Sequence, residues 1–146
     1  MKITSLTFKD SGVLPAKFTC QGEDISPALS WNDLPVGTVS LALIVDDPDA
    51  PAGTWTHWTI WNIDPALGGL KENAVPAGAS EGLTSWGSAG WQGPCPPRGT
   101  HRYYFKLYAL DTALSLTPEA TVQDLTLAMK EHTLGQAELM ATYQKP

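Results

Sequence analysis

Basic side chains are scarce in this chain. Its 146 residues hold 9 Lys and Arg against 15 Asp and Glu, a net charge of −6 with His neutral. Nucleic acid and anionic membrane surfaces are recognised through a basic footprint, so neither is expected as an electrostatic partner. A small anion held in a local pocket stays open. Cysteine is scarcer still, with Cys20 and Cys95 alone. Their spacing matches no metal or redox motif. Two small, half-buried thiols are the expectation for a cytoplasmic protein, and a disulfide between them is left open. No stretch approaches the roughly 18 apolar residues of a membrane helix. The opening MKITSLTF lacks the apolar run of a signal peptide. A cytoplasmic location with no transmembrane segment is therefore expected. Also missing are a Gly-x-Ser-x-Gly elbow, a His-Glu-x-x-His pair and a P-loop, so three familiar routes to an enzyme are closed.

Glycine and proline are not scarce, at 13 and 12. That abundance implies many turns and a mainly β fold. The length suits a single domain spanning residues 1–146, which would bury roughly 68–70% of its unfolded surface without staples.

Ile3 to Phe8 is read as a first strand. Leu14 to Thr19 is a short strand or edge, and Ala28 to Trp31 another short strand. Thr38 to Asp47 (TVSLALIVDD) is apolar in both phases, as a central strand must be. Asp47 falls in the phase of Val39 to Val45, so its carboxylate heads toward an apolar side and needs a partner there. Pro48 and Pro51 then restrict the residues before them, which holds Asp47 and Asp49 in place. Trp55 to Ile63 is rich in aromatic and branched residues and reads as a strand. Regular alternation puts Trp55, His57, Thr59 and Trp61 on one face. Asp64 to Gly82 is a connector.

From Gly87 to Asp111 the chain has two halves of opposite character. Gly87 to Gly99 is too rich in glycine and proline for a helix or a central strand. Thr100 to Leu110 is aromatic and apolar, a strand, with His101 and Tyr103 on one face and Arg102 on the other. After Asp111, helical spacing of Val122, Leu125 and Met129 behind a Thr121/Asp124 capping signal predicts a helix over Val122 to His132. Gln136 to Tyr143 either extends that helix or forms a last strand, and its alternation favours the strand.

Asp47, Asp49, His57, His101 and Tyr103 thus all lie beside proline-stiffened turns. Singly, each has an ordinary structural explanation: strand histidines are mostly packing residues, and Asp-Pro-Asp is turn chemistry. Together they suggest the walls of one small site.

The segments DISPALSW, DDPDAP, HWTIWNI and GPCPPRGTHRYYFKLYALD resemble the phosphatidylethanolamine-binding protein family, also called the Raf kinase inhibitor-like family. The ending HTLGQAELMATYQ is similar to its short bacterial and archaeal members, and the resemblance spans nearly the whole chain. It implies a Greek-key β-sandwich of two antiparallel sheets with a helix near the C-terminus. It also implies a small-anion site for phosphate, acetate or a phosphoethanolamine head group. The ligand-binding wall would be Asp47, Asp49, His57, the Gly93-Pro94 loop, His101 and Tyr103. In that site a protonated His and the Tyr hydroxyl would donate to the anion, with backbone N–H groups of the Gly-rich turn as a nest. A kinase or protease partner and a homodimer are further expectations from the resemblance. No cofactor and no catalytic residue are assigned. The alternatives are a hydrolase using the Asp/His/Tyr groups as acid and base, and a metal site built from His57, His101 and an Asp. Only Ala52-Gly53-Thr54 separates Pro51 from Trp55, shorter than in eukaryotic members, and Cys95 interrupts their Gly-Pro-Pro pattern.

Overall fold

The computed structural model describes residues 1–146. Nine strands and one helix follow in the order β1 (Lys2–Thr4), β2 (Gly12–Val13), β3 (Leu29–Asn32), β4 (Ser40–Asp47), β5 (Trp55–Ile63), β6 (Gly69–Leu70), β7 (Ser80–Glu81), β8 (Thr100–Leu110), α1 (Val122–Met129) and β9 (Thr133–Gln144). They form a small sheet, β1-β3-β6, and a large one, β2-β9-β8-β4-β5-β7. All pairings are antiparallel except β2 against β9, which is parallel. The protein is mainly β, with two sheets and one helix near the C-terminus, as the sequence predicts.

The three long apolar runs became the middle of the large sheet. β4 is buried along its whole length and lies between β5 and β8. Its inward side chains Leu41, Leu43 and Val45 join Phe105, Leu107, Trp58 and Ile60, and meet Ile3, Leu29, Trp31 and Leu70 of the small sheet. Its other face, Ala42 and Ile44, packs with Trp61, Leu110, Leu125 and Met129 under α1. Burial on two sides is why β4 shows no polar alternation.

Five expectations are corrected. β1 stops at Thr4, because Leu6 is 97% exposed and leaves the ladder. Phe8 returns to the core and packs on Phe105, ring centres 5.4 Å apart. The Leu14 to Thr19 segment is no strand: Pro15 leads into a single 3-10 turn over Ala16–Phe18. The Asp64 to Gly82 connector contains the short strands β6 and β7. The helix begins where expected, with the Thr121 and Asp124 side chains each accepting from the other's backbone N–H. It ends at Met129 rather than His132, because Glu131 takes a left-handed φ of 70°. The final segment is the strand β9.

The fifth correction concerns β5, whose alternation is not regular. Opposite β4 the register shifts between Val45/Trp58 and Asp46/Thr56, leaving His57 as an extra residue. This bulge breaks the expected shared face. Trp58 points into the main core and Trp61 into the layer under α1, while His57 packs against Tyr103 of β8. Bulges re-aim side chains in this way. A second shift beyond Leu43 leaves Asn62 at φ 56°. Its side chain bonds both backbone groups of Leu114, which anchors the chain entering α1.

Candidate functional site

The C-terminal end of β4, the start of β5 and the start of β8 lie side by side, so their end residues converge. Asp47 closes β4 in the inward phase and is 3% exposed. Its need for partners is met twice. Oδ2 accepts from His101 Nδ1 at 2.7 Å, and Oδ1 accepts from the Asp49 backbone N–H at 2.7 Å. That second bond folds the Asp-Pro-Asp turn on itself and sends Asp49 the other way. Asp49 grips Arg102 on the outer side of β8, with Oδ1 2.7 Å from Nη2 and Oδ2 2.9 Å from Nε and from the backbone N. The Arg102 side chain holds the Asp49 carboxyl down to about 2. Asp49 is therefore brought close to the site in sequence but does not line it.

His57, placed inward by the bulge, has Nδ1 2.5 Å from the Gln92 carbonyl oxygen. A carbonyl only accepts, so Nδ1 carries the proton and a neutral ring leaves Nε2 as an acceptor. Burial lowers the His57 pKa below the ordinary imidazole value and outweighs the hydrogen bond that raises it. The neutral ring is thus the resting form near pH 7. Tyr103 presents its ring edge-on to His57 at 5.3 Å and stacks with His101 at 6.4 Å. Burial, and then the Asp47 carboxylate, push its phenol pKa well up, so the hydroxyl stays a donor.

These groups face a cavity of about 320 Å³. Its polar wall is Asp47, His57, His101 and Tyr103, and its apolar wall includes Trp55, Trp86, Pro51, Pro96 and Pro97. No Lys or Arg lines it. Trp86 stands over His57 at 5.0 Å and edge-on to Trp55 at 5.2 Å, closing one side.

Gly93 and Pro94, expected in the ligand-binding wall, are buried and do not line the cavity. The Gly93 N–H donates to Asp24 Oδ1 at 2.8 Å, so it is not free to form an anion nest. A Cβ at Gly93 would lie 2.1 Å from the Phe18 carbonyl oxygen, which is why only glycine fits. The Pro94 carbonyl accepts from the Cys20 N–H at 3.2 Å. Cys20 and Cys95 are joined by a disulfide with Cα atoms 5.5 Å apart, so the expected pair of free thiols is corrected.

The strand-end residues Asp47, His57, His101 and Tyr103 are thus brought together as the sequence suggested. Trp86, Pro96 and Pro97 were missed as wall residues. A loop aromatic has no periodicity, and only its place in a Ser-Trp-Gly turn could have drawn notice. A larger hollow of about 520 Å³ lies on the small sheet, lined by Leu6, Leu29, Leu67 and Leu70. Lys71 is its one charged group, and it offers no comparable chemistry.

Fold and cavity together define a two-sheet β protein with one compact polar cleft at the strand ends. Residues 4–144 match the family described as phosphatidylethanolamine-binding protein, and the chain belongs to that family. A UPF0098 protein of Methanothermobacter thermautotrophicus is 49% identical, with 99% of each chain covered. The crystal structure of CT736 from Chlamydia trachomatis, described as a homolog of this family, has a TM-score of 0.96 at 43% identity. That match covers 99% of this chain and 97% of that one. Escherichia coli YbcL, described as a member of the mammalian family, has a TM-score of 0.93 at 32% identity and covers 99% and 98%. Membership makes this a ligand-binding protein, and the family names carry no enzymatic activity. No helix is long and apolar enough to cross a membrane.

Proposed function

We propose that the cleft binds a small anion, phosphate or a phosphoethanolamine head group, together with a proton. The observation that carries this reading is the polar wall itself: two histidines, a protonated tyrosine and a carboxylate, with no Lys or Arg. A fully ionised phosphate beside Asp47 would meet a like charge with no fixed cation to offset it. Proton uptake at His57 Nε2 removes that conflict. The ring becomes a donor at both nitrogens, and the Tyr103 hydroxyl supplies another donor. This differs from a site in which His57 is charged before the ligand arrives. The cytoplasmic location expected from the sequence is a further proposal, and the disulfide bears against it, since such bonds persist mainly in oxidising compartments.

Calorimetry with inorganic phosphate and with O-phosphoethanolamine tests the reading. Affinity rises as pH falls from about 8 to 6, by up to about tenfold per unit for one linked proton. Buffers of different ionisation heat count that proton. Tyr103→Phe removes a bond to a charged ligand and weakens binding by about 1.5–3 kcal/mol, and His57→Ala reduces the pH slope to the part set by the ligand's own second ionisation. Unchanged affinity in both variants, or no binding heat from either ligand, overturns the reading. Turnover of phosphate monoesters that vanishes in His57→Ala would establish the hydrolase alternative instead.

A further inference from the structure

The wall carrying Pro96 and Pro97 is tied to one short segment, Phe18 to Asp24. Three ties are hydrogen bonds: Trp91 Nε1 to the Phe18 carbonyl at 3.2 Å, Gly93 N–H to Asp24 Oδ1 at 2.8 Å, and Cys20 N–H to the Pro94 carbonyl at 3.2 Å. The fourth is the Cys20–Cys95 disulfide. Gly93, Pro94 and Pro96 are buried, but both cysteines are exposed. Cys95 also lines the cleft, between two prolines. A covalent brace is thus open to solvent beside the buried Gly93, Pro94 and Pro96. Disulfides serving only as staples are typically resistant to cellular thiols, whereas exposed ones are the labile and regulatory kind.

We propose that Cys20–Cys95 is a thiol-exchange switch that sets the affinity of the cleft, an inference resting on the anion-binding reading above. A thiolate of the low-molecular-weight class, such as glutathione, attacks one sulfur. The S–S bond breaks, a mixed disulfide forms, and the other cysteine leaves as a thiolate and takes up a proton. A second thiolate attacks the mixed disulfide, releasing the oxidised small molecule and the second cysteine thiol. Two electrons have passed from two thiols to the protein. The Cys95–Pro97 wall is then held only through the hydrogen bonds of Trp91, Gly93 and Pro94, and the cleft loses its fixed shape.

The test uses folded, full-length protein in native buffer. Millimolar glutathione is added, and the mixed and reduced species are followed by mass spectrometry. Amide hydrogen exchange is read at Cys20 and Gly93, whose N–H groups bond across the two segments, and phosphate affinity is measured by calorimetry in both states. The double variant Cys20→Ser/Cys95→Ser serves as a permanently open form, with circular dichroism checking that it and the reduced protein stay folded. The expected result is opening without denaturant, amide exchange at least tenfold faster at Cys20 and Gly93 with β4 and β8 unchanged, and phosphate affinity at least tenfold weaker. A bond that resists glutathione in the folded protein overturns the proposal, as does equal phosphate affinity in both states. If the oxidised protein binds no phosphate, the anion reading falls alone. The switch is then judged on amide exchange: acceleration at the wall sustains it, and none overturns it.

Discussion

Removing the disulfide should cost about as much stability as truncating a large core side chain. The bond closes a loop with a sequence separation of 75. In the chain-entropy account, a loop of that length restricts the unfolded ensemble by about 15 cal/mol/K, or roughly 4.5 kcal/mol at 25 °C. A domain of 146 residues unfolds with an entropy near 0.3 kcal/mol/K, so the loss corresponds to a fall in Tm of roughly 15 °C. The perturbation is Cys20→Ala/Cys95→Ala, which leaves no free thiol, and calorimetric melting in non-reducing buffer is the assay. Because the effect acts on the unfolded state, the urea m-value should rise in the variant as the unfolded chain expands. The wild-type protein melted in strong reductant should converge on the variant. A Tm fall below about 3 °C, with m unchanged, would refute the reasoning and imply that the Phe18–Asp24 segment is held by its hydrogen bonds alone.

Two further outcomes follow from the site. His57 has a folded pKa below its unfolded value of about 6.5. Its contribution is complete above the unfolded value and is lost as pH falls through the lowered folded value, because the unfolded chain takes up the proton first. Urea melts between about pH 8 and 5 should therefore show stability falling toward acid, with a shallower slope in His57→Gln; equal slopes would exclude His57 as a source. Gly93→Ala places a Cβ 2.1 Å from the Phe18 carbonyl oxygen and 2.5 Å from Asp24 Oδ1. It should cost about 1–3 kcal/mol in urea unfolding, as overpacking does, and a neutral result would mean that the loop can shift freely.

Much of this architecture is legible in the chain because its signals are local. Val, Ile, Leu and aromatic runs mark β4, β5 and β8, and simple parity puts His101 and Tyr103 on one face. The failures are equally physical. Parity assumed no extra residue in β5, so Thr59 and Trp61 were assigned to the face of His57. The bulge reversed them and kept His57 inward. Asp47 and Asp49 also share parity, yet the Asp49 N–H bond to Asp47 Oδ1 turned a strand into a tight turn and gave Asp49 to Arg102. Leu6 reads as strand by composition but has no strand to pair with. The disulfide joins residues that no local pattern connects, and Trp86 acquires its role only when the loop folds over His57.

The inward row of β8 runs His101, Tyr103, Phe105, Leu107, from the cleft directly into the sandwich core. Trp91 stacks on Phe105 with ring centres 6.0 Å apart, and His57 lies on Tyr103. Recognition and folding therefore draw on one continuous row of inward side chains. A lineage adapting this cleft to a new ligand could change that row only at the expense of the scaffold. The freer route is the rim at Ala50–Ala52, Trp86 and Pro97, whose side chains meet solvent. Divergent ligand preference between relatives should accordingly be written in those loops, over a strand-end tetrad that stays the same.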